Sequence, residues 1–192
     1  MTPLHRLDTE RLVLRASDPA HAAEVAAFYT RNRVAHAPWS PPPTPTLFTA
    51  AGQQQRLLGA AMAEADGSQV GWWLTLREAP ERIVGQLRFS QVSRGPFYSA
   101  MLGYSIDCGC EGRGLMHEAL MVALADAFGP RVGLHRVQAN ARPENARSLR
   151  LLDRLGFERE GLAREYLFID GAWRDHVLTA LRAPGWAVDR AP

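Results

Sequence analysis

The spacing of apolar and polar positions cuts the chain into short segments of known period. Arg11 to Arg15, with Leu12 and Leu14, reads as a short strand. Asp18-Pro19 then supplies an N-cap and a first-turn proline, which opens a helix running to about Asn32. From Ala35 to Gln55 there is no Asp, Glu, Lys or Arg, and prolines stand at 38, 41, 42, 43 and 45. Proline removes a backbone donor and fixes φ, so this stretch predicts an ordered loop or lid. A second helix is expected from about Leu47 to Glu64. Val70–Arg77, Arg82–Ser90 and Phe97–Asp107 read as successive strands, split by Ala79-Pro80 and Gly95-Pro96.

The second half is more regular. Leu115, Ala119, Leu120, Ala123, Leu124 and Ala127 fall at helical spacing within 112–128, and Gly129-Pro130 ends the run. His135–Asn140 reads as a strand. Ala146–Leu155 reads as a helix capped by Asn145 before it and Gly156 after it. Glu165–Ile169 and Trp173–Leu181 form a hairpin about Asp170-Gly171. The expected order is β-α-α-β-β-β-α-β-α-β-β. It is a mixed α/β (α+β) fold, mostly antiparallel in its first half. With no internal repeat and no linker, the expectation is one domain over 1–192, its core at about 8–182 with a short C-terminal tail.

Composition narrows the chemistry. The 192 residues carry 22 basic and 20 acidic side chains, and every basic one is arginine. Without lysine there is no Schiff base, no P-loop phosphate grip and no kinase strand lysine. A net charge of +2 gives no electrostatic case for nucleic acid. Cys108 and Cys110, two apart, make neither a disulfide framework nor a zinc site, so no metal is expected and a reducing cytoplasm is. The first residues lack a signal-peptide apolar region, and Val70–Leu76 is too short to span a bilayer.

The most informative local chemistry is Tyr104-Ser-Ile-Asp-Cys-Gly-Cys-Glu-Gly-Arg-Gly-Leu-Met116: strand end, glycines, helix start. Glycines let backbone N–H groups converge, and a helix N-terminus adds positive potential, which suits a pyrophosphate. The spacing is not that of a dinucleotide fold. A tight turn with no ligand is an equal reading of these residues alone.

Gly112-x-Gly114 after a strand, followed by Asn145-x-x-Ser148 and Leu155-Gly156-Phe157, resembles the GNAT superfamily of N-acetyltransferases. Further segments resemble its ribosomal-protein-alanine N-acetyltransferases of the RimJ/RimL type. These are Asn32-Arg33 with Pro38-Trp39, Phe89–Phe97, Leu102–Ile106, Gly114–Leu120 and Ile169–Leu181; together the resemblance covers roughly 8–185. It implies a central mixed sheet with strands splayed around acetyl-coenzyme A. It also implies acetyl transfer to a protein N-terminus, an alanine of a small-subunit ribosomal protein, by a monomer or homodimer. The coenzyme residues it implies are Ile106, Cys108, Gly112, Arg113, Gly114, Leu115, Met116, Asn140, Asn145 and Ser148. The acceptor side would hold Trp39, Tyr104 and Tyr166.

The sequence departs from the family pattern at three places. Glu111 precedes the first loop glycine, where a carboxylate beside phosphates is unfavourable unless it points away or pairs, Arg113 being the candidate partner. The family's usual tyrosine acid falls at Leu152, and its usual glutamate base at Gln138. An α-amino group with pKa of about 7.7–8.0 is roughly a quarter neutral near pH 7.4, whereas a lysine side chain is only about 0.1% neutral. An N-terminal acceptor therefore needs only a mild base. Ser148, one turn from Asn145, is expected to donate to the coenzyme thiolate or to bridge a water. Glu165 or Tyr166 is expected to take the amine proton or bind the ammonium. His176 of Asp175-His176, Trp72, Trp73 and Trp186 read as structural. Between Arg131 and Arg154 six arginines face two acids, a local excess of four positive charges that suits the anionic coenzyme, with Arg142, Arg147 and Arg150 as candidates. Acetylation of a small-molecule amine, or coenzyme binding on the ribosome with little catalysis, are the competing functions.

Overall fold

The computed structural model describes residues 5–186. Its elements are β1 (Arg6–Asp8), β2 (Leu12–Arg15), α1 (Ala22–Arg31), α2 (Arg33–His36), α3 (Ala50–Ala65), β3 (Val70–Leu76), β4 (Ala79–Ser93), β5 (Ser99–Ile106), α4 (Leu115–Phe128), β6 (Arg136–Gln138), α5 (Ala146–Arg154), β7 (Glu158–Ile169) and β8 (Ala172–Arg182). The strands form one sheet in the order β1-β2-β3-β4-β5-β6-β8-β7. Every neighbouring pair is antiparallel except β5–β6.

The adjacent tryptophans of β3 mark the two faces, because side chains alternate along a strand. Trp72 joins Leu87, Phe89, Leu102 and the apolar stripes of α4 and α5 in the larger core. Trp73 joins Val25 and Phe28 of α1 and Leu57 of α3 in the smaller one. Two helices thus cover each face.

The expected elements form, with local differences. Asp18 caps a 3₁₀ turn, Pro19–His21, before α1 begins. The proline stretch holds two further 3₁₀ turns, Ala37–Trp39 and Pro45–Phe48, and α3 starts only after Thr49 caps it through Gly52 N. β1 was not expected; with one apolar residue in three it carries no periodic signal. Asp170 and Gly171 both take positive φ, 52° and 70°, as a tight hairpin turn requires.

The expected strand His135–Asn140 is shorter for a reason that shapes the site. β6 pairs with β5 only through Ser99–Met101 opposite Arg136–Gln138. Beyond Gln138 the chain follows β8 instead, with Ala139 N donating to Thr179 O and Ala141 bridged to Val177. β5 meanwhile continues to Ile106 along β4. The inner edge of Leu102–Ile106 is left without a strand neighbour, so the sheet opens in a V at the Met101–Gln138 pair.

Candidate active site

The open strand β5 leads straight into the glycine loop. Asp107 forms the foot of this loop. Its carboxylate caps a 3₁₀ turn by accepting from Gly109 N at 3.0 Å, and it takes Arg31 Nε at 2.6 Å and Arg82 Nη2 at 3.4 Å. Burial pushes this carboxyl up, but Arg31, the Gly109 amide and Asn32 outweigh it and hold it below the usual range. Asn32, fully buried, accepts from Cys108 N at 2.9 Å and donates to Phe28 O. His36 donates from Nε2 to Ile106 O at 2.9 Å. The helical segment around Asn32 thus holds the end of β5 and the loop foot together.

Gly112 and Gly114 lie at φ 74° and 76°, left-handed backbone that glycine adopts without strain. A Cβ on Gly112 would meet nothing within 4 Å, so open space lies over the loop. Gly114 is the N-cap of α4 and offers no side-chain cap, so the first-turn amides of a 14-residue helix are left for an outside acceptor. These donors fit the anionic pyrophosphate of acetyl-coenzyme A.

Across the V stands α5. Asn145 caps it, accepting from Ser148 N at 3.1 Å. Ser148 Oγ in turn lies 2.6 Å from the Tyr104 hydroxyl of β5. Burial pushes the Tyr104 phenol up to about 12, with the Ser148 hydrogen bond opposing. Leu152 is 1% exposed in the core, and Gln138 is the last β6 residue before the V opens. A tyrosine hydroxyl therefore does border α5, but it comes from β5 rather than from α5 itself.

On the other wall, Asn140 Nδ2 donates to Tyr166 OH at 3.1 Å, and Asn140 Oδ1 accepts from Thr179 N at 3.3 Å. Glu165 sits in a β-bulge at φ 49°, its N–H given to Asp175, and its side chain is exposed. Nothing brings its carboxylate to Ser148. Trp39 is half exposed beneath the Arg142 guanidinium, 5.5 Å from the ring centre, and Arg142 Nη1 donates to Pro38 O at 2.6 Å.

Glu111 pairs with Arg147 of α5, not with Arg113, so the loop carboxylate is neutralised across the groove. Arg142 is committed to the Pro38–Trp39 turn, which leaves Arg147 and exposed Arg150 closer to solvent. His176 is buried and donates from Nδ1 to Arg174 O, while Asp175 takes Glu165 N–H, so the two form no dyad. Trp72 and Trp73 are buried in the two cores, and Trp186 packs on Tyr98 and His135. No local spacing marks Asp107, Arg31, His36 or Arg11 in the sequence, because their partners are distant along the chain. No cluster of three metal-ligating side chains occurs among the described residues.

A family model for an acetyltransferase (GNAT) domain matches residues 11–158. The chain belongs to the GNAT acetyltransferase family. Over 190 residues this acetyltransferase is 43% identical to the [ribosomal protein uS5]-alanine N-acetyltransferase of Escherichia coli (strain K12), across 98% of this chain and 96% of the relative. Its fold superposes with TM-score 0.91 on the ribosomal-protein-S5-alanine acetyltransferase from Vibrio fischeri, at 32% identity, covering 95% of this chain and 99% of that one. RimJ of Mycobacterium smegmatis, solved with CoA-disulfide, gives TM-score 0.83 at 31% identity over 90% of this chain and 82% of that one. The acetyltransferase is an N-acetyltransferase that depends on acetyl-coenzyme A. None of its helices, among the described residues, is long and apolar enough to cross a membrane.

Proposed function

We propose that the enzyme acetylates the α-amino group of a protein N-terminus in the cytoplasm, the acceptor being the N-terminal alanine of ribosomal protein uS5. The observation that carries this reading is the 43% identity, over nearly the full length of both chains, to a relative named for that acceptor. One sheet carries both walls of the site, which supports a single catalytic domain.

In this reading the amides of Gly112–Met116 hold the coenzyme pyrophosphate. Ile106, Cys108, Asn140, Asn145 and Ser148 border the arm that enters the V. The coenzyme supplies a thioester whose sulfur leaves as a thiolate. With Tyr104 donating to Ser148, the Ser148 proton is free to point at that sulfur. Tyr104, near 12, is a weaker acid than a thiol of about 8.5, so the pair stabilises the thiolate by hydrogen bonding and does not protonate it. The proton comes from the amine, which at pKa of about 8 is already partly neutral near pH 7. Tyr166, held by Asn140, and the exposed Glu165 receive the ammonium, and Trp39 and the lid flank the acceptor. Transfer is direct, since Cys110 is buried in the core and Cys108 lies at the loop foot; neither bonds the Tyr104–Ser148 pair.

The test is acetyl transfer to a panel of peptides varied in their first two residues. Alanine-initiated uS5 peptide should be acetylated at its α-amine with release of free coenzyme thiol. Activity confined to lysine side chains would overturn the reading.

A further inference from the structure

Arg11 stands between β1 and β2, on the opposite side of the sequence from the glycine loop, yet it holds that loop from behind. Its Nη1 donates to the Arg113 carbonyl at 3.0 Å, a contact across 102 residues. Its Nε lies 2.6 Å from Glu118 Oε2, and its backbone N–H donates to Glu118 Oε1 at 2.9 Å. Thr9 Oγ1 donates to the same Glu118 Oε1 at 2.6 Å.

In a trans peptide the carbonyl and the next N–H point in opposite directions. Holding the Arg113 carbonyl toward Arg11 therefore turns the Gly114 N–H the other way, out of the clamp. Glu118, moreover, is a carboxylate in the first turn of α4, where a bound anion would meet its charge. Arg11 cancels that charge, so the anion faces the helix N-terminus and its free amides.

We propose that Arg11, through the Arg113 carbonyl and Glu118, is the positioning residue for the pyrophosphate site. This rests on reading the loop as the coenzyme site. The Arg11 guanidinium is engaged by the Arg113 carbonyl and Glu118, so its role is to position the loop and not to react.

The experiment measures coenzyme A binding by calorimetry for wild type, Arg11→Ala, Arg11→Lys and Arg11→Ala/Glu118→Gln, with the thermal midpoint of each. It pairs this with KM for acetyl-coenzyme A and for acetyl-pantetheine, which has no pyrophosphate. Loss of one charge-assisted anchor should weaken coenzyme A binding about tenfold to a hundredfold in Arg11→Ala. Glu118→Gln in that background should regain part of the loss, because an uncompensated charge is removed. Arg11→Lys should fall between, keeping charge but not the fork. KM for acetyl-pantetheine should be unchanged in every variant. Binding within twofold of wild type in folded Arg11→Ala, or an equal loss with acetyl-pantetheine, would overturn the proposal. If Arg11→Ala does not fold, Arg11→Lys carries the same comparison. Failure of wild type to bind coenzyme A would refute the loop assignment instead, so the two failures are told apart.

Discussion

The Tyr104 and Ser148 hydroxyls lie 2.6 Å apart, joining the open strand β5 to the first turn of α5 across the mouth of the V. The pair places a polar donor where the family's usual tyrosine position has become the core residue Leu152. Ser148→Ala should lower kcat by about tenfold, the worth of one hydrogen bond to developing charge, with KM for acetyl-coenzyme A nearly unchanged. Tyr104→Phe should act in the same direction. The double variant should lose little more than the worse single one, because the hydroxyls act as one unit. Steady-state kinetics of the four proteins checks this, and additive losses would separate the two roles.

The high pKa of Tyr104 has a stability signature. Below about pH 10 the folded and unfolded chains both hold the phenol proton. Between there and about 12 only the folded chain does, so the unfolded state gains and stability falls as pH rises. The loss should reach about 2–3 kcal/mol by pH 12. Urea melts at pH 9 and 11 should show it in wild type and not in Tyr104→Phe.

The rate should follow the acceptor instead. Because kcat/KM with an α-amine peptide needs the neutral amine, it should rise through about pH 8 and then level off. A pH–rate profile to pH 10 tests this, and a decline above pH 9 would point to an acid that must stay protonated on the enzyme.

Asp107 and Arg31 should matter for folding. Arg31→Ala leaves a carboxylate that is 4% exposed with the longer Arg82 contact as its ion pair and the Gly109 amide as its remaining close donor, at an expected cost of about 2–3 kcal/mol at neutral pH. Asp107 has its folded pKa lowered, so its contribution is present above the unfolded value and is lost as pH falls through the folded one. Denaturant melts should therefore show the gap between wild type and variant closing below about pH 4.

Arg142→Ala should loosen the acceptor side alone. It removes the donor to Pro38 O and the cation over the Trp39 ring. KM for an acceptor peptide should rise about fivefold to tenfold, as loss of one such contact allows, while KM for acetyl-coenzyme A holds. A rise in both constants would place Arg142 on the coenzyme.

Much of this was legible along the chain because it is local. Gly112 and Gly114 need positive φ, Asn145 caps the helix that follows it, and Asp170-Gly171 turns the hairpin; each is decided within a few residues. The apolar spacing of α4 and the alternation of Trp72 and Trp73 are local as well, and they predicted which side chains are buried. What the sequence could not show was partnership. Tyr104 meets Ser148 across 44 residues, Arg31 meets Asp107 across 76, Arg11 meets Arg113 across 102 and Arg142 meets Pro38 across 104. Glu111 likewise takes Arg147, although Arg113 is its neighbour in sequence. The Tyr104–Ser148 and Glu111–Arg147 contacts, which span the V, depend on β6 pairing with β5 for three residues and then leaving with β8. That choice belongs to the assembled sheet. The residue types for the chemistry were set by the sequence, and which of them face one another was decided by the sheet that opens between β5 and β6.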